Sequence, residues 1–160
     1  PELAHLQLKV AGTATEADKP FIDNVKKTLA EGNCLNDVEF LINISREEKL
    51  SFLESLTVLS VPATYGESFG LYVLEALACG VPVVQPNHAA FPEILEKTQG
   101  GLLFEPGDLD GYVAALRRVL LDQEENQKFG QQGRDVVREY FTIDRMADEV
   151  IRVVEQLSKK

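Results

Sequence analysis

Short apolar runs alternating with stretches of helical period constrain this chain most. Residues 6–11 ("LQLKVA"), 38–42 ("VEFLI"), 56–61 ("LTVLSV"), 81–84 ("VPVV") and a brief run at 102–104 read as five strands. Residues 21–31, 46–54, 69–79, 91–96, 108–121, 124–140 and 143–157 read as helices. Asp18 and Pro20 suit the start of the first helix, and Asp108 suits the N-cap of the fifth. Helices inserted between apolar strands imply a parallel sheet covered on both faces.

The expectation is therefore an α/β fold, a Rossmann-like three-layer α/β/α arrangement. Its parallel sheet has about five strands and is followed by a helical tail. A chain of 160 residues suits a single domain over 1–160, burying roughly 70% of its unfolded surface. The sequence begins at Pro1, without Met, and reads as a piece of a longer protein.

With 16 basic and 26 acidic side chains, the net charge is −10. That balance argues against nucleic acid as a partner and against direct contact with anionic membranes. No run of about 18 apolar residues offers a membrane span. Cys34 and Cys79 lack metal-type spacing and read as reduced, structural thiols of a cytoplasmic protein.

Ligands of open α/β sheets bind beyond the carboxyl ends of the strands. Three loops lie there: 12–19, 62–68 and 85–90. The middle one leads into "YGESFGLYVLEALACG", where Glu67 and Glu75 flank seven residues. Ser68 can cap the helix that follows. Glu75, seven residues beyond Ser68, returns to nearly the same face about 10 Å down the axis. An apolar helix of this kind is buried, so Glu75 needs hydrogen-bonding partners. The N–H groups of Gly70 and Leu71 at the helix mouth suit a diphosphate. A diol suits Glu75, and a further polyhydroxylated group suits Glu67. A nucleotide sugar has that order of parts. Each carboxylate also has a plainer reading, Glu67 as a helix-start residue and Glu75 as a partner of a neighbouring group.

"PATYGESFGLYVLEALACGVPVV" resembles the donor-binding signature of the GT-B-type retaining glycosyltransferases of group one. Glu67 and Glu75 match its two glutamates, and "FPEIL" and "GGLLFEPGD" are similar to later segments. The resemblance runs from about residue 6 to 121. It implies the C-terminal, donor-binding half of a GT-B fold, with the N-terminal half absent. Glu75 would hold the ribose and Glu67 would face the transferred sugar as the catalytic carboxylate. Ser68, Phe69, Gly70 and Leu71 would contact sugar and diphosphate, and residues 40–43 would lie near the base. No cofactor and no metal are implied.

The acceptor, whether carbohydrate, lipid or small molecule, would be held by the absent half. Membrane attachment through that half is left open, and the isolated chain would be inactive. The family's phosphate-binding Arg and Lys would lie upstream of Pro1. Where many members have a Gly pair, Ala89 and Ala90 stand here.

His88, at the end of strand four, is a further candidate for substrate binding. His5 has no evident role. Tyr65 and Phe69 read first as packing residues, and Glu93 as a helix-start carboxylate. The tail carries an apolar stripe of Ile143, Met146, Val150, Val153, Val154 and Leu157, which packs on this domain or on the absent half. Two alternatives of other kinds stay open: a non-catalytic nucleotide-binding or interaction domain, and a related GT-B enzyme such as a sugar-nucleotide epimerase or a glycogen phosphorylase-like enzyme.

Overall fold

The computed structural model describes residue 3 and residues 5–158, which form two compact units, Pro1–Leu50 and Ser51–Lys160. In the first, β1 (Leu8–Gly12) and β2 (Val38–Ile42) pair in parallel, Leu8 opposite Val38 and Gly12 opposite Ile42. Helix α1 (Lys19–Glu31) connects them, with Pro20 in its first turn, where a missing N–H costs nothing. Asn43 has a positive φ, a conformation that asparagine tolerates well. Its carboxamide accepts from Ala14 N–H at 3.0 Å and donates to Ala14 C=O at 2.9 Å, continuing the ladder with a side chain.

The unit boundary falls within α2 (Arg46–Glu54). The second unit contains α3 (Leu71–Ala78), β3 (Val83–Pro86), α4 (Phe91–Thr98), β4 (Gly101–Phe104), α5 (Leu109–Leu121), α6 (Gln123–Tyr140) and α7 (Ile143–Ser158). Strands β3 and β4 pair in parallel, Val83 opposite Gly101 and Pro86 opposite Phe104. Their two faces feed separate cores. Val83 packs with Val73, Ala76, Leu77 and Phe91, whereas Val84 packs with Phe104 and Val119. That is the two-sided burial expected of a parallel strand.

The α/β class and the parallel pairings agree with the sequence. The sheet does not: the described strands are four, in two two-stranded sheets, not about five in one. The expected third strand, 56–61, contributes only an isolated parallel bridge from Leu59 to Val83. Side chains take the places of its next ladder bonds. The Ser60 hydroxyl donates to Val84 C=O, and Val61 N–H reaches the Gln85 side-chain oxygen at 3.4 Å. Pro62, with no N–H, ends the pairing.

Helix α6 lies unusually close to its neighbours. A Cβ on Gly130 would strike the Gly80 carbonyl, and one on Gly133 would fall 2.6 Å from Leu77 Cδ2. Helix α7 has no buried residue, and Ile143, Met146, Val150, Val153 and Leu157 stand more than half exposed, so the apolar stripe is not packed on this unit.

Gly101 is held by the same kind of constraint, since a Cβ there would meet the Val83 carbonyl across the β3–β4 pair. Gly101→Ala should lower unfolding stability by about 3 kcal/mol or more, because backbone rather than a pliable side chain must yield. Denaturant melts of the two proteins check this.

Candidate functional site

All seven residues that the sequence nominated lie in the second unit, on the 62–70 loop, α3 and the 87–90 turn. Helix α3 starts later than expected. Its N-cap is Gly70, left-handed at φ 75°, and not Ser68, whose side chain makes no cap and is exposed. Gly70 is required twice over. Its φ favours glycine, and a Cβ would sit 3.3 Å from Ile94 Cδ1 and 3.4 Å from Phe91 Cε1. The 3.6-residue period could not show this, because the cap is set by the backbone turn before the helix.

Glu67 closes that turn. Its Oε1 accepts from Phe69 N–H at 3.2 Å and Gly70 N–H at 3.1 Å. Its main-chain carbonyl accepts from Ala90 N–H at 3.2 Å. The Phe69 and Gly70 N–H groups hold its carboxyl below the ordinary value of 4.5, outweighing its desolvation. Gly70 N–H, expected to face a diphosphate, is thereby engaged by Glu67 instead. Leu71 and Tyr72, the first two helical residues, have N–H groups with no intrahelical acceptor. Leu71 itself is 59% exposed.

Glu75 is half-buried on α3, within reach of the Cys79 thiol one turn on, whose pKa its charge helps to raise after burial and Glu54. It has interactions inside the protein. Tyr65 and Phe69, read first as packing residues, are 64% and 56% exposed at the helix mouth. Neither can be a core residue here. In sequence Tyr72 is only part of an apolar run. Its ring meets Phe91 edge-on with centroids 6.4 Å apart, and its buried hydroxyl has no hydrogen-bond partner among the described residues. Burial, and then the charges of Glu67 and Tyr65, push that phenol up to about 12.

The structure places His88 as a brace. Its Nε2 lies 2.9 Å from Ala63 C=O, and since a carbonyl only accepts, Nε2 must carry the proton. The ring also packs on Phe91 at 6.0 Å. The brace joins the 62–70 loop to the turn after β3. In that turn Ala89 has φ 54°, left-handed like Gly70, so an alanine occupies a conformation in which glycine is unstrained. Glu93 stands exposed in the first turn of α4 and lines a cavity with Ser68 and Phe69. Among the described residues, no three His, Cys, Asp or Glu side chains are grouped to hold a metal ion.

The arrangement is a helix mouth with open amides, one carboxylate before it and one a turn and more inside. The chain belongs to the family of glycosyl transferases group 1, whose model matches residues 2–136. It is 31% identical over 132 residues to the MMP alpha-(1->4)-mannosyltransferase of Mycolicibacterium hassiacum, covering 82% of this chain and 32% of that one. Sucrose-phosphate synthase from Thermosynechococcus elongatus superposes with a TM-score of 0.84 at 27% identity, covering 96% of this chain and 39% of that one. HepE from Anabaena, solved with UDP and glucose, has a TM-score of 0.84 at 17% identity, covering 97% and 43%, a likeness of fold alone. These neighbours bear out the GT-B type read from the sequence. The chain spans about a third of the length of the curated relatives it matches.

Two outcomes test this geometry. A carboxyl held below its ordinary value stabilises above that value and loses its contribution as pH falls through the lowered one. The Phe69 and Gly70 amide proton shifts should therefore move together below pH 4.5, and Glu67→Gln should abolish the transition. Relieving the left-handed alanine should outweigh the added chain freedom of glycine. Ala89→Gly should thus raise stability by about 0.5–1 kcal/mol, read from thermal melts.

Proposed function

We propose that this chain is the donor-binding half of a two-half glycosyltransferase that moves a sugar from a nucleoside diphosphate to an acceptor hydroxyl with retained configuration. The observation that carries the reading is the mouth of α3. There the Gly70 turn presents the Leu71 and Tyr72 amides to a ligand, with Glu67 before them and Glu75 within. The amides and the helix dipole would stabilise the departing diphosphate by preorganised electrostatics. Glu75 would accept from the two ribose hydroxyls. Glu67 keeps lone pairs beyond those given to Phe69 and Gly70, and would orient the sugar and offset positive charge developing at its anomeric carbon. In the transfer, the bond from that carbon to the diphosphate oxygen breaks, and a bond from the acceptor oxygen forms. The acceptor's proton leaves with the diphosphate. No residue of this chain is assigned as a nucleophile.

The acceptor would be held chiefly by protein outside this chain, which would also cover the exposed stripe of α7. The chain alone would then bind donor without turning it over. Glycosyltransfer of this kind would need no metal, because backbone amides serve the diphosphate. Cys34 and Cys79 are both free thiols, in keeping with a cytoplasmic setting.

Titration of the intact protein with a panel of nucleotide sugars tests the donor assignment. Glu75→Ala should weaken binding of the preferred donor by about 10- to 100-fold, the value of charge-assisted hydrogen bonds. Unchanged affinity would remove Glu75 from the site. Turnover with the preferred donor should persist in excess EDTA, and a loss restored by Mg²⁺ would refute the metal-free account.

A further inference from the structure

A cavity of about 620 Å³ opens between the 62–70 loop, α4 and the turn from α6 to α7. Small-molecule sites occupy roughly 300–1,000 Å³. Its floor is apolar and buried, formed by Leu74 and Ile94. On its wall Phe69, 56% exposed, offers an open aromatic face. The Tyr140 ring is already taken, with Lys97 Nζ 4.0 Å and the Arg145 guanidinium carbon 4.8 Å from its centroid. Both signs of charge line this space. Glu93 and Glu96 stand in the lining with Lys97 and Arg145, and Glu139 is hydrogen-bonded to Tyr140. The two cations are therefore balanced by carboxylates. Yet among the described residues these four lining charges make no ion pair with one another. Their donors and acceptors are not spent on each other.

Such a lining sorts ligands by charge. An anion would be pressed against Glu93 and Glu96, and a cation against Lys97 and Arg145, with water removed between like charges. A purely apolar occupant would strip water from all four charged heads and return no hydrogen bond. A hydroxyl behaves differently. It donates to a carboxylate and accepts from an ammonium or guanidinium, so it satisfies both signs at once. A ring of hydroxylated carbons also carries C–H faces, slightly positive, that suit the negative face of an aromatic ring and an apolar floor. We propose that this cavity binds neutral carbohydrate. Its hydroxyls are held between the carboxylates of α4 and the two cations, and a ring face lies against Phe69. Binding there requires no nucleotide.

NMR titration of the intact protein, without nucleotide, tests this. The probes are the methyl glycosides of glucose, galactose and mannose, each beside its uronate and its 2-amino sugar, with cyclohexanol as a ring lacking the other hydroxyls. At least one neutral glycoside should bind about tenfold more tightly than its charged counterparts and than cyclohexanol. Amide shifts at 93–97 and 140–145 should move with it. Two variants read the sign of the ligand. Glu96 and Arg145 are exposed, so Glu96→Ala and Arg145→Ala remove charge without opening the core. For a neutral polyol each loss should weaken binding about tenfold, the value of one charge-assisted hydrogen bond. For an anion Glu96→Ala would strengthen binding, and for a cation Arg145→Ala would. Either of those responses, or a variant that binds as tightly as the parent, overturns the proposal. So do charged sugars or cyclohexanol that bind as well as the neutral glycosides, shift changes confined to 71–75, and a protein that binds none of the probes.

Discussion

Three hydrogen bonds made by one residue tie the start of α3 to the start of α4. Glu67 gives its carboxylate to Phe69 and Gly70 and its carbonyl to Ala90. The first two bonds set where α3 can begin, because they tie down the turn that Gly70 completes. The third fixes that turn to the start of α4. His88 repeats the tie from the other side through Ala63. The mouth of α3 is thus braced from two directions, and its open amides keep their aim without a ligand. Preorganisation of this sort is what a site needs if it is to favour a developing charge.

The outline of the fold was legible because burial on both faces leaves short, continuous apolar runs and helices leave their own period. Strand 38–42 and helix 46–54 fall where the pattern puts them. Pattern failed where side chains stand in for backbone. Segment 56–61 reads as a strand, yet beyond Leu59 the side chains of Ser60 and Gln85 take over its bonds to β3. Periodicity sees Val and Leu there, and has no means of weighing a hydroxyl against a ladder N–H.

The site divides in the same way. Glu75 is legible because a carboxylate in an apolar helix needs a reason to be there, and Glu67 because it stands at that helix's entry. Gly70 reads in sequence as an amide donor at the mouth, and its left-handed turn leaves no mark on the helical period. The packing reading of Tyr65 and Phe69 does not hold, since an aromatic in a loop looks the same in sequence whether it packs or protrudes. Ala89 departs from a glycine pair, and its positive φ gives that departure a physical cost. The cavity could not be seen at all. Its walls come from residues 68–69, 90–97 and 140–145, which no local spacing connects.

Glycine contacts far from the cavity bear on its shape. Gly130 and Gly133 seat α6 against Gly80, Leu77 and Gly100 with no slack, and Tyr140 follows on the same rigid rod about 10 Å beyond Gly133. The glycines are thus the fixed points of that rod, as a rowlock is of an oar. A methyl group added at either pivot would swing the far end, and with it the aromatic wall that carries both cations. The position of Tyr140 is thus exposed to drift at residues about two turns away from it.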